Sequence, residues 1–379
     1  MAQQQQMNPY MQNQVARANL LQTGISMVKK LQPVRGDLGS TIRIPLLRMG
    51  VMTGVLLQFS VPITIATAVA TPSPVAPWNI ANVVEYKDFA GVSRTRTNGF
   101  QLWAGQTMKQ SDALSAIAAA SYPAGSAGPS LVSDTNILNV PTAIGSADSL
   151  RFSLYVPMAY DPASDLTGAV LTQTNVGEHF INVQLPNAIS STDPWNTPYV
   201  NGAATVTAPS GVTVEAFQYY IQPQAMDIST LPLIDLGMIY GFEGGYTSTD
   251  NISSGMAHFI NYPNNRSVLA SLINFENGTA FTANGADLDA ITLLANSNTN
   301  FMEMTPRLVR ETMRNICNAD LPGGSYYLGS RRQPIQTQLY ANVQAKMDVK
   351  TANAGVTRMI SQFEIIYPSG TPLPGIGGA

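Results

Sequence analysis

The strongest constraint on the fold is a period-two alternation of apolar and polar residues that recurs along the chain. Its longest run covers residues 339–350, and shorter runs occur at 150–156 and 181–185. Successive side chains of a strand point to opposite faces, so each run predicts a strand with one buried face. Clusters of Gly, Pro, Asn and Ser separate the runs, which favours an all-β protein built from sandwiches over a parallel α/β sheet.

One long segment could be mistaken for a membrane-spanning helix, because residues 49–84 contain no charge. Within it, Phe59 and Ile63 belong to an alternating run, and Gly54 and Pro62 would interrupt a helix. We therefore predict a core strand here. The N-terminus lacks the basic region and apolar run of a secretory signal, so no such signal is expected.

The N-terminal residues 9–30 are predicted to form an amphipathic helix. Asn8 and Pro9 are typical of an N-cap and a first helical residue, apolar residues follow at spacings of three and four, and Pro33 would end the helix. Gly24 weakens this prediction. Three further segments have helical spacing and are expected to form short helices in loops: 111–120, 286–295 and 306–317.

Charge is sparse and unevenly distributed. Only 11% of the residues are charged, which excludes an intrinsically disordered chain, and the net charge of −3 argues against a coat that neutralises phosphates. Residues 1–36 carry +4 and no acid, so the remainder carries −7. Two interpretations of this basic segment stay open: a helix packed on its own domain, or an arm that contacts a neighbouring subunit or an anionic membrane. The basic residues are Arg17, Lys29, Lys30 and Arg35.

Three pairs of short segments suggest an internal repeat. INVQ at 181–184 is similar to ANVQ at 341–344, FQYYIQP at 217–223 to FEIIYP at 363–368, and SLYVPMAY at 153–160 to SYYLGSRR at 325–332. Between the two halves, residues 231–245 have the Pro and Gly punctuation of a connector. Duplication and chance similarity are both compatible with matches this short.

The sequence contains no recognisable catalytic set. Walker, GxSxG and HExxH motifs are absent, and the two histidines, His179 and His258, lack ligand partners at metal-binding spacing. Cys317 is the single cysteine, which excludes an intramolecular disulfide framework. Helix 306–317 carries three arginines in a stripe, for which a phosphate site, a solvated face and a subunit contact all remain possible: Arg307, Arg310 and Arg314. We predict no catalytic residue, cofactor or metal.

Several segments resemble one viral protein family in the same order along the chain. YVPMAYDPASDLTGAVL at 155–171 resembles the central stretch of the major capsid proteins of tectiviruses, which are icosahedral phages with an internal membrane. TNGFQLWAGQTMKQ at 97–110, LPLIDLGMIY at 231–240 and YYLGSRRQPIQTQLYANV at 326–343 are similar to further family segments. The Gln-rich N-terminus also resembles the family's N-terminal arm.

This resemblance implies a double jelly roll, that is, two eight-stranded β-sandwiches side by side in one chain. Family members form homotrimers that serve as pseudo-hexagonal capsomers and tile a shell over a lipid membrane. The implied partners are other copies of the chain, minor capsid and vertex proteins, and the membrane through the N-terminal arm, without sequence-specific nucleic acid binding. The expected location is the virion, after assembly in the host cytoplasm. The expected divisions are a basic arm (1–36), a first jelly roll (37–230), a connector (231–248), a second jelly roll (249–368) and a flexible tail (369–379).

Two other functions are compatible with a β-rich chain. A carbohydrate-binding or carbohydrate-active β-sandwich could use aromatic residues as a sugar platform, although Trp78, Trp103 and Trp195 are scattered along the sequence. Another structural protein of the same virion, such as a spike, would usually add fibrous repeats, which the sequence lacks.

Overall fold

The structure of the chain is a computed structural model. The residues it describes are 18–109, 138–172, 177–193, 195–223, 238–250, 252, 255–277, 280–281, 288–297, 299–317, 321–329, 333–350 and 358–368.

Among the described residues, the first half of the chain forms fourteen strands, a short helical segment at 18–23 and one longer α-helix. The strands are β1 (Ile25–Lys30), β2 (Val34–Gly36), β3 (Thr41–Pro45), β4 (Val51–Ala66), β5 (Thr71–Pro72), β6 (Val83–Lys87), β7 (Ser93–Thr97), β8 (Gly145–Pro157), β9 (Val170–Leu171), β10 (Phe180–Gln184), β11 (Ser190–Ser191), β12 (Tyr199–Val200), β13 (Thr205–Thr207) and β14 (Val212–Gln222). The helix α1 covers Gly99–Lys109, and a 3₁₀ turn covers Trp78–Ile80.

The second half repeats this organisation with fewer short strands. The strands are β15 (Met238–Asp250), β16 (Ala257–Asn261), β17 (Ser267–Asn277), β18 (Ala280–Phe281), β19 (Leu288–Ala295), β20 (Thr299–Met304), β21 (Ser325–Gly329), β22 (Ile335–Gln336), β23 (Val343–Val349) and β24 (Arg358–Pro368). The helix α2 covers Pro306–Cys317, and a 3₁₀ turn covers Thr337–Leu339.

The two halves have the same strand topology. In the first, β1, β14, β4 and β8 pair in that order, and β3, β10, β6 and β7 pair in the opposing layer. In the second, β15, β24, β17 and β21 pair in order, as do β16, β23, β19 and β20. Eight main strands in two sheets per half are a jelly roll, so the prediction of a double jelly roll is confirmed.

The equivalences between the two sandwiches follow from strand order. When only the eight main strands of each sandwich are counted in chain order, β1 and β15 are the first strands of their sandwiches. On the same count, β7 and β20 are the fifth strands. All three pairs of similar segments overlap equivalent strands: β10 and β23, β14 and β24, and β8 and β21. The faint repeat in the sequence therefore corresponds to a repeat in the fold.

The predicted N-terminal helix over 9–30 is wrong in its C-terminal part. Residues 18–23 are helical, but Ile25–Lys30 is the strand β1, which pairs with β14. Gly24 marks the change: its N–H donates to the Leu20 carbonyl, and a β-carbon there would overlap the Ile221 side chain. Pairing with β14 then satisfies the backbone groups that a helix would have satisfied internally. Within the expected basic arm (1–36), residues 25–30 and 34–36 form strands β1 and β2 of the first sandwich.

The other helix predictions had mixed outcomes. Helix 306–317 is confirmed as α2, whereas segment 111–120 lies outside the described residues. The prediction for 286–295 is wrong, because Leu288–Ala295 is the central strand β19. Its apolar run is buried between β20 and β23, and a short run of this kind does not distinguish a strand from a buried helix. Of the predicted connector, 231–237 lies outside the described residues, and β15 begins at Met238.

The apolar core runs through both sandwiches as one cluster. The segment predicted to be a core strand is β4, with buried residues such as Phe59 and Val61, which confirms the prediction. The Phe59 ring stacks on Phe152 of β8, with 4.5 Å between centroids. Among the described residues, no helix has the length and apolarity needed to cross a membrane.

We predict that Phe152→Ala lowers the free energy of unfolding by about 3–5 kcal/mol, because it leaves a cavity beside Phe59 in the packed core. Val69→Ala, at an exposed loop position, is the control and is expected to change stability by less than about 0.5 kcal/mol. Urea unfolding followed by tryptophan fluorescence measures both. Equal stability of the two variants would contradict this packing.

Candidate functional site

The two sandwiches join along one sheet edge of each. The fifth strand β7 of the first sandwich lies parallel to the first strand β15 of the second, with Arg96 directly opposite Glu243. A ten-stranded sheet therefore continues from one sandwich into the other. Gly241 permits this close approach, because a β-carbon there would overlap the Arg94 carbonyl oxygen.

Helix α1 fills the space beside this joint. Asn98 is its N-cap, since its Oδ1 accepts a hydrogen bond from the Gln101 N–H at 2.8 Å, while its Nδ2 donates to the carbonyl of Gly245 in β15. Nine of the eleven helix residues are buried. Gly105 brings the helix against the second sandwich, since a β-carbon there would lie 2.9 Å from Gln362 Nε2 and 3.0 Å from the Phe242 ring.

A buried polar network connects α1 to the second sandwich. Gln101 Nε2 donates to Asn274 Oδ1 at 2.8 Å and to the Ile360 carbonyl at 3.3 Å. Gln362 Nε2 donates to the Gln101 carbonyl at 3.0 Å, and its Oε1 accepts from the Thr97 hydroxyl. Because buried polar groups are costly when unpaired, these bonds fix one orientation of the two sandwiches.

The C-terminal end of α1 is held by a charged residue. Lys109 Nζ lies 3.8 Å from Glu364 Oε1 and donates to the Tyr240 hydroxyl at 3.0 Å. The ammonium also lies over the rings of Tyr160 and Tyr240, at 4.0 and 4.3 Å from their centroids. The Tyr240 hydroxyl in turn donates to Glu364 at 2.8 Å, so residues from both sandwiches share one closed set of contacts.

A second ionic contact crosses the joint near its surface. Arg358 of β24 donates to both carboxylate oxygens of Asp193 in the first sandwich, at 3.1 and 2.9 Å. Beside it lies a cavity of about 280 Å³, lined by polar side chains that include Asn79 and Asn98, together with Trp195. The cavity belongs to the joint, since both sandwiches line it.

Charge at the joint is partly buried. Burial raises the pKa of Glu243, and the positive charge of Arg266 opposes that shift. The Arg266 guanidinium stacks on the Tyr367 ring at 3.9 Å. Glu243, which is half-buried, therefore lies opposite Arg96 across the contact between β7 and β15 and is also close enough to Arg266 for that charge to act on it.

Among the residues that the structure describes, none covers the corresponding outer edges of the two sandwiches. Every residue of β1 is exposed, and five of the six residues of β20 are exposed. Both strands carry large apolar side chains on this surface: Ile25, Met27 and Val28 on β1, and Phe301 and Met302 on β20. Exposed apolar strands at sheet edges are typical of surfaces that another chain covers.

The predicted arm residues have different surroundings. Arg17 lies outside the described residues. Lys29 and Lys30 are exposed on β1, and Lys30 Nζ lies 2.7 Å from Glu215 of β14. Arg35 donates to the Ser210 carbonyl. Three of the four therefore lie on strands of the first sandwich, and their role in contacts stays a prediction.

The other residues singled out in the sequence have mainly structural roles. Arg310 is buried, and its guanidinium donates to the carbonyls of Leu321, Pro322 and Ser325. Arg307 is exposed and pairs with Glu311 at 2.8 Å. Arg310 therefore stabilises the interior and Arg307 forms an ion pair at the surface. Because they face different surroundings, the two do not form a shared phosphate site.

The tryptophans do not form a sugar platform. Trp78 stacks on Trp103 with 3.8 Å between centroids, and Trp195 meets Phe100 edge to face. All three tryptophans are buried in the first sandwich. Across the described part of the chain, no cluster of His, Cys, Asp and Glu could hold a metal ion.

His179 is a buried core residue beside Phe89, with ring centroids 4.2 Å apart. Burial lowers its pKa to about 4, and although a hydrogen bond with the Leu47 backbone raises it, nearby Arg48 lowers it further.

Comparison with known proteins decides the family. The family model for the N-terminal domain of the P3 major capsid protein matches residues 9–207. The family model for its C-terminal domain matches residues 239–369. The chain belongs to the P3 major capsid protein family. The resemblance to tectivirus capsid proteins is thereby confirmed, and the protein is a capsid-forming structural protein of a bacteriophage virion.

Individual relatives of this P3-family chain agree. Major capsid protein P3 of Enterobacteria phage PRD1 is 26% identical over 403 residues, covering 100% of this chain and 99% of that protein. A chain in the atomic structure of Sulfolobus Turreted Icosahedral Virus has a TM-score of 0.65 at 12% identity, covering 91% and 92% of the two chains. The major capsid protein P2 of bacteriophage PM2 has a TM-score of 0.51 at 10% identity, covering 90% and 98%. The two structures show that the fold is shared.

We predict that Gln101→Leu lowers the free energy of unfolding by about 1–3 kcal/mol, because it leaves the buried Asn274 side chain and Ile360 carbonyl without their donor. Gln58→Leu, the same change at an exposed position on β4, serves as control and should have little effect. Chemical unfolding of both variants of the P3-family chain measures the difference. Equal stability would mean that the network contributes nothing to the joint.

We predict that the stability of this capsid protein falls as the pH is lowered from about 6.5 to about 4. His179 has a folded pKa of about 4 against its ordinary 6.5, so the unfolded chain binds the extra proton in this window. Urea midpoints across this range measure the slope, and His179→Gln should reduce it. An unchanged slope in that variant would assign the dependence to other groups.

Proposed function

We propose that the chain assembles into homotrimers, that each trimer is a pseudo-hexagonal capsomer of six jelly rolls, and that these capsomers tile an icosahedral shell over an internal lipid membrane. The observation that carries this proposal is the way the two sandwiches join. They have the same topology, and the fifth strand of one meets the first strand of the other.

This contact is heterologous, because it uses a different edge of each partner. Heterologous contacts repeated by a closing rotation give rings. One chain contributes two sandwiches and one such contact, and leaves the first strand of one sandwich and the fifth strand of the other uncovered. Three chains complete a ring of six sandwiches with a similar contact at every joint.

The composition supports permanent contact of this kind. Few long charged side chains need to be desolvated in a chain with 11% charged residues, and charged residues are depleted at the cores of stable interfaces. Assembly, and not turnover, is the function that these surfaces support.

We further propose that the N-terminal arm reaches the internal membrane, that assembly takes place in the host cytoplasm, and that minor capsid and vertex proteins complete the shell without sequence-specific contacts to nucleic acid. The proposed divisions are an arm that ends before Ile25, a first jelly roll to residue 223, a connector within 224–237 and a second jelly roll from Met238 to Pro368. The start of the C-terminal family match at residue 239 supports a second jelly roll that begins at Met238.

Native mass spectrometry of the purified chain tests the trimer. Because one chain has a mass of 40.5 kDa, three should give about 120 kDa. Measurement at increasing ionic strength should leave the trimer intact if apolar edges dominate its contacts. A monomer at micromolar concentration would contradict the proposal.

Flotation with lipid vesicles tests the arm. We expect the full chain to bind vesicles that contain anionic lipid, and a variant lacking residues 1–17 to bind less, because the deletion removes apolar residues that can insert into the interface and the positive charge of Arg17. The deletion stops at residue 17 because Leu20 is buried in a cluster with Val51 and Ile221. Native mass spectrometry of the variant is the control for assembly. Equal vesicle binding would exclude the arm as the contact.

A further inference from the structure

The internal joint predicts the residues that meet between copies, because the two sandwiches share one topology. Inside the chain, β7 and β15 lie side by side. Their equivalents in the other sandwiches are β20 and β1, which are uncovered edges. If the same contact forms between copies, then its residue register can be derived from the internal one.

The fifth strands β7 and β20 align through a shared irregularity. In β7 the pairing with β6 skips Arg94, and in β20 the pairing with β19 skips Phe301. After that position, Arg96 is the second residue in β7 and Glu303 the second in β20. Glu303 therefore occupies the place of Arg96.

The first strands β1 and β15 align through their partners. Lys30 is five residues after the start of β1 and pairs with Phe217 of β14. Glu243 is five residues after the start of β15 and pairs with Phe363 of β24. Lys30 therefore occupies the place of Glu243.

From this register we infer that β20 of one copy lies beside β1 of the next, with Glu303 opposite Lys30 of the neighbouring copy. This inference rests on the proposed trimer. The internal joint places a base of the fifth strand, Arg96, against an acid of the first strand, Glu243. Between copies the fifth strand carries the acid, Glu303, and the first strand carries the base, Lys30. The two facing residues therefore again have opposite charges. This charge complementarity favours a second copy as the occupant of both edges.

The backbones of β1 and β20 lie further apart between copies than those of β15 and β7 do within the chain. Gly241 lets β15 approach the Arg94 carbonyl, and its equivalent on β1, two residues before Lys30, is Val28. A β-branched side chain at that point keeps the strands further apart. Val28 is 53% exposed and its counterpart Phe301 is 40% exposed, so these two side chains fill the added space.

Helix α2 extends the same correspondence. Helix α1 begins two residues after β7 and α2 begins two residues after β20, so Leu308 occupies the place of Gln101. Gln101 makes the buried polar contacts of the internal joint, whereas Leu308 is 47% exposed. The joint between copies therefore has an apolar side chain where the joint within the chain has a polar one.

Cross-linking in a Cys317→Ser background tests the register. Lys30→Cys combined with Glu303→Cys, treated with a short bismaleimide, should give covalent dimers and trimers on a denaturing gel. Each single cysteine variant should remain monomeric on the gel. Native mass spectrometry of every variant shows whether trimers are present before cross-linking. Trimers that do not cross-link would overturn this inference and leave the proposed function standing, whereas a monomeric parent chain would remove both.

Charge reversal provides a second measurement. Glu303→Lys should raise the protein concentration at which half the trimer has dissociated by about tenfold or more, because it faces Lys30 with a like charge. Adding Lys30→Glu should recover most of that loss, even though Lys30 also contacts Glu215 in its own chain. Glu178→Lys, on an exposed residue outside both edge strands, is the matched control. Independent and additive effects of the two reversals would overturn the pairing.

Discussion

The edges of the sheets are the constraint on which this structure depends. A jelly roll leaves outer strands with unpaired backbone groups, and such strands pair with other chains unless they are covered. In this protein one fifth strand and one first strand cover each other inside the chain, through Arg96 and Glu243. Gly241 makes that approach possible, and helix α1 closes the space beside it. The two remaining equivalent edges are the surfaces left for assembly.

The joint also explains how a chain with few charges holds two sandwiches in one orientation. Apolar packing alone is not directional. The relative orientation of the two sandwiches is set by a small group of buried hydrogen bonds, in which Gln101, Gln362 and Asn274 are the central residues. Lys109 adds a charge shared by Glu364 and two tyrosine rings. Two jelly rolls held in one fixed orientation suit a protein whose function is to occupy a defined position in a capsid shell.

Much of the fold could be predicted from the sequence, and the failures have physical causes. Alternation located β8, β10 and the second part of β4, because one face of each is buried and the other is not. It also located β23, but the strand begins only at Val343, and Leu339, at the start of the predicted run, ends a 3₁₀ turn and is exposed. The same rule failed at β19, where both faces are buried and the run at 288–295 loses its alternation. Helix α1 was missed because Gly99 and Gly105 lower its helix propensity, although they are needed for close packing. Asn98, an N-cap residue before this helix, was the signal that could have located it.

The sequence by itself determined the fold class, the family and the absence of recognisable catalytic motifs, since these depend on local patterns and on similarity spread along the chain. Only the tertiary structure decided that residues 25–30 form an edge strand and not a helix, because β14 supplies their hydrogen bonds from nearly two hundred residues away. It also decided which edges meet and which remain open. That outcome depends on pairing between distant strands, and no local pattern of residues records it.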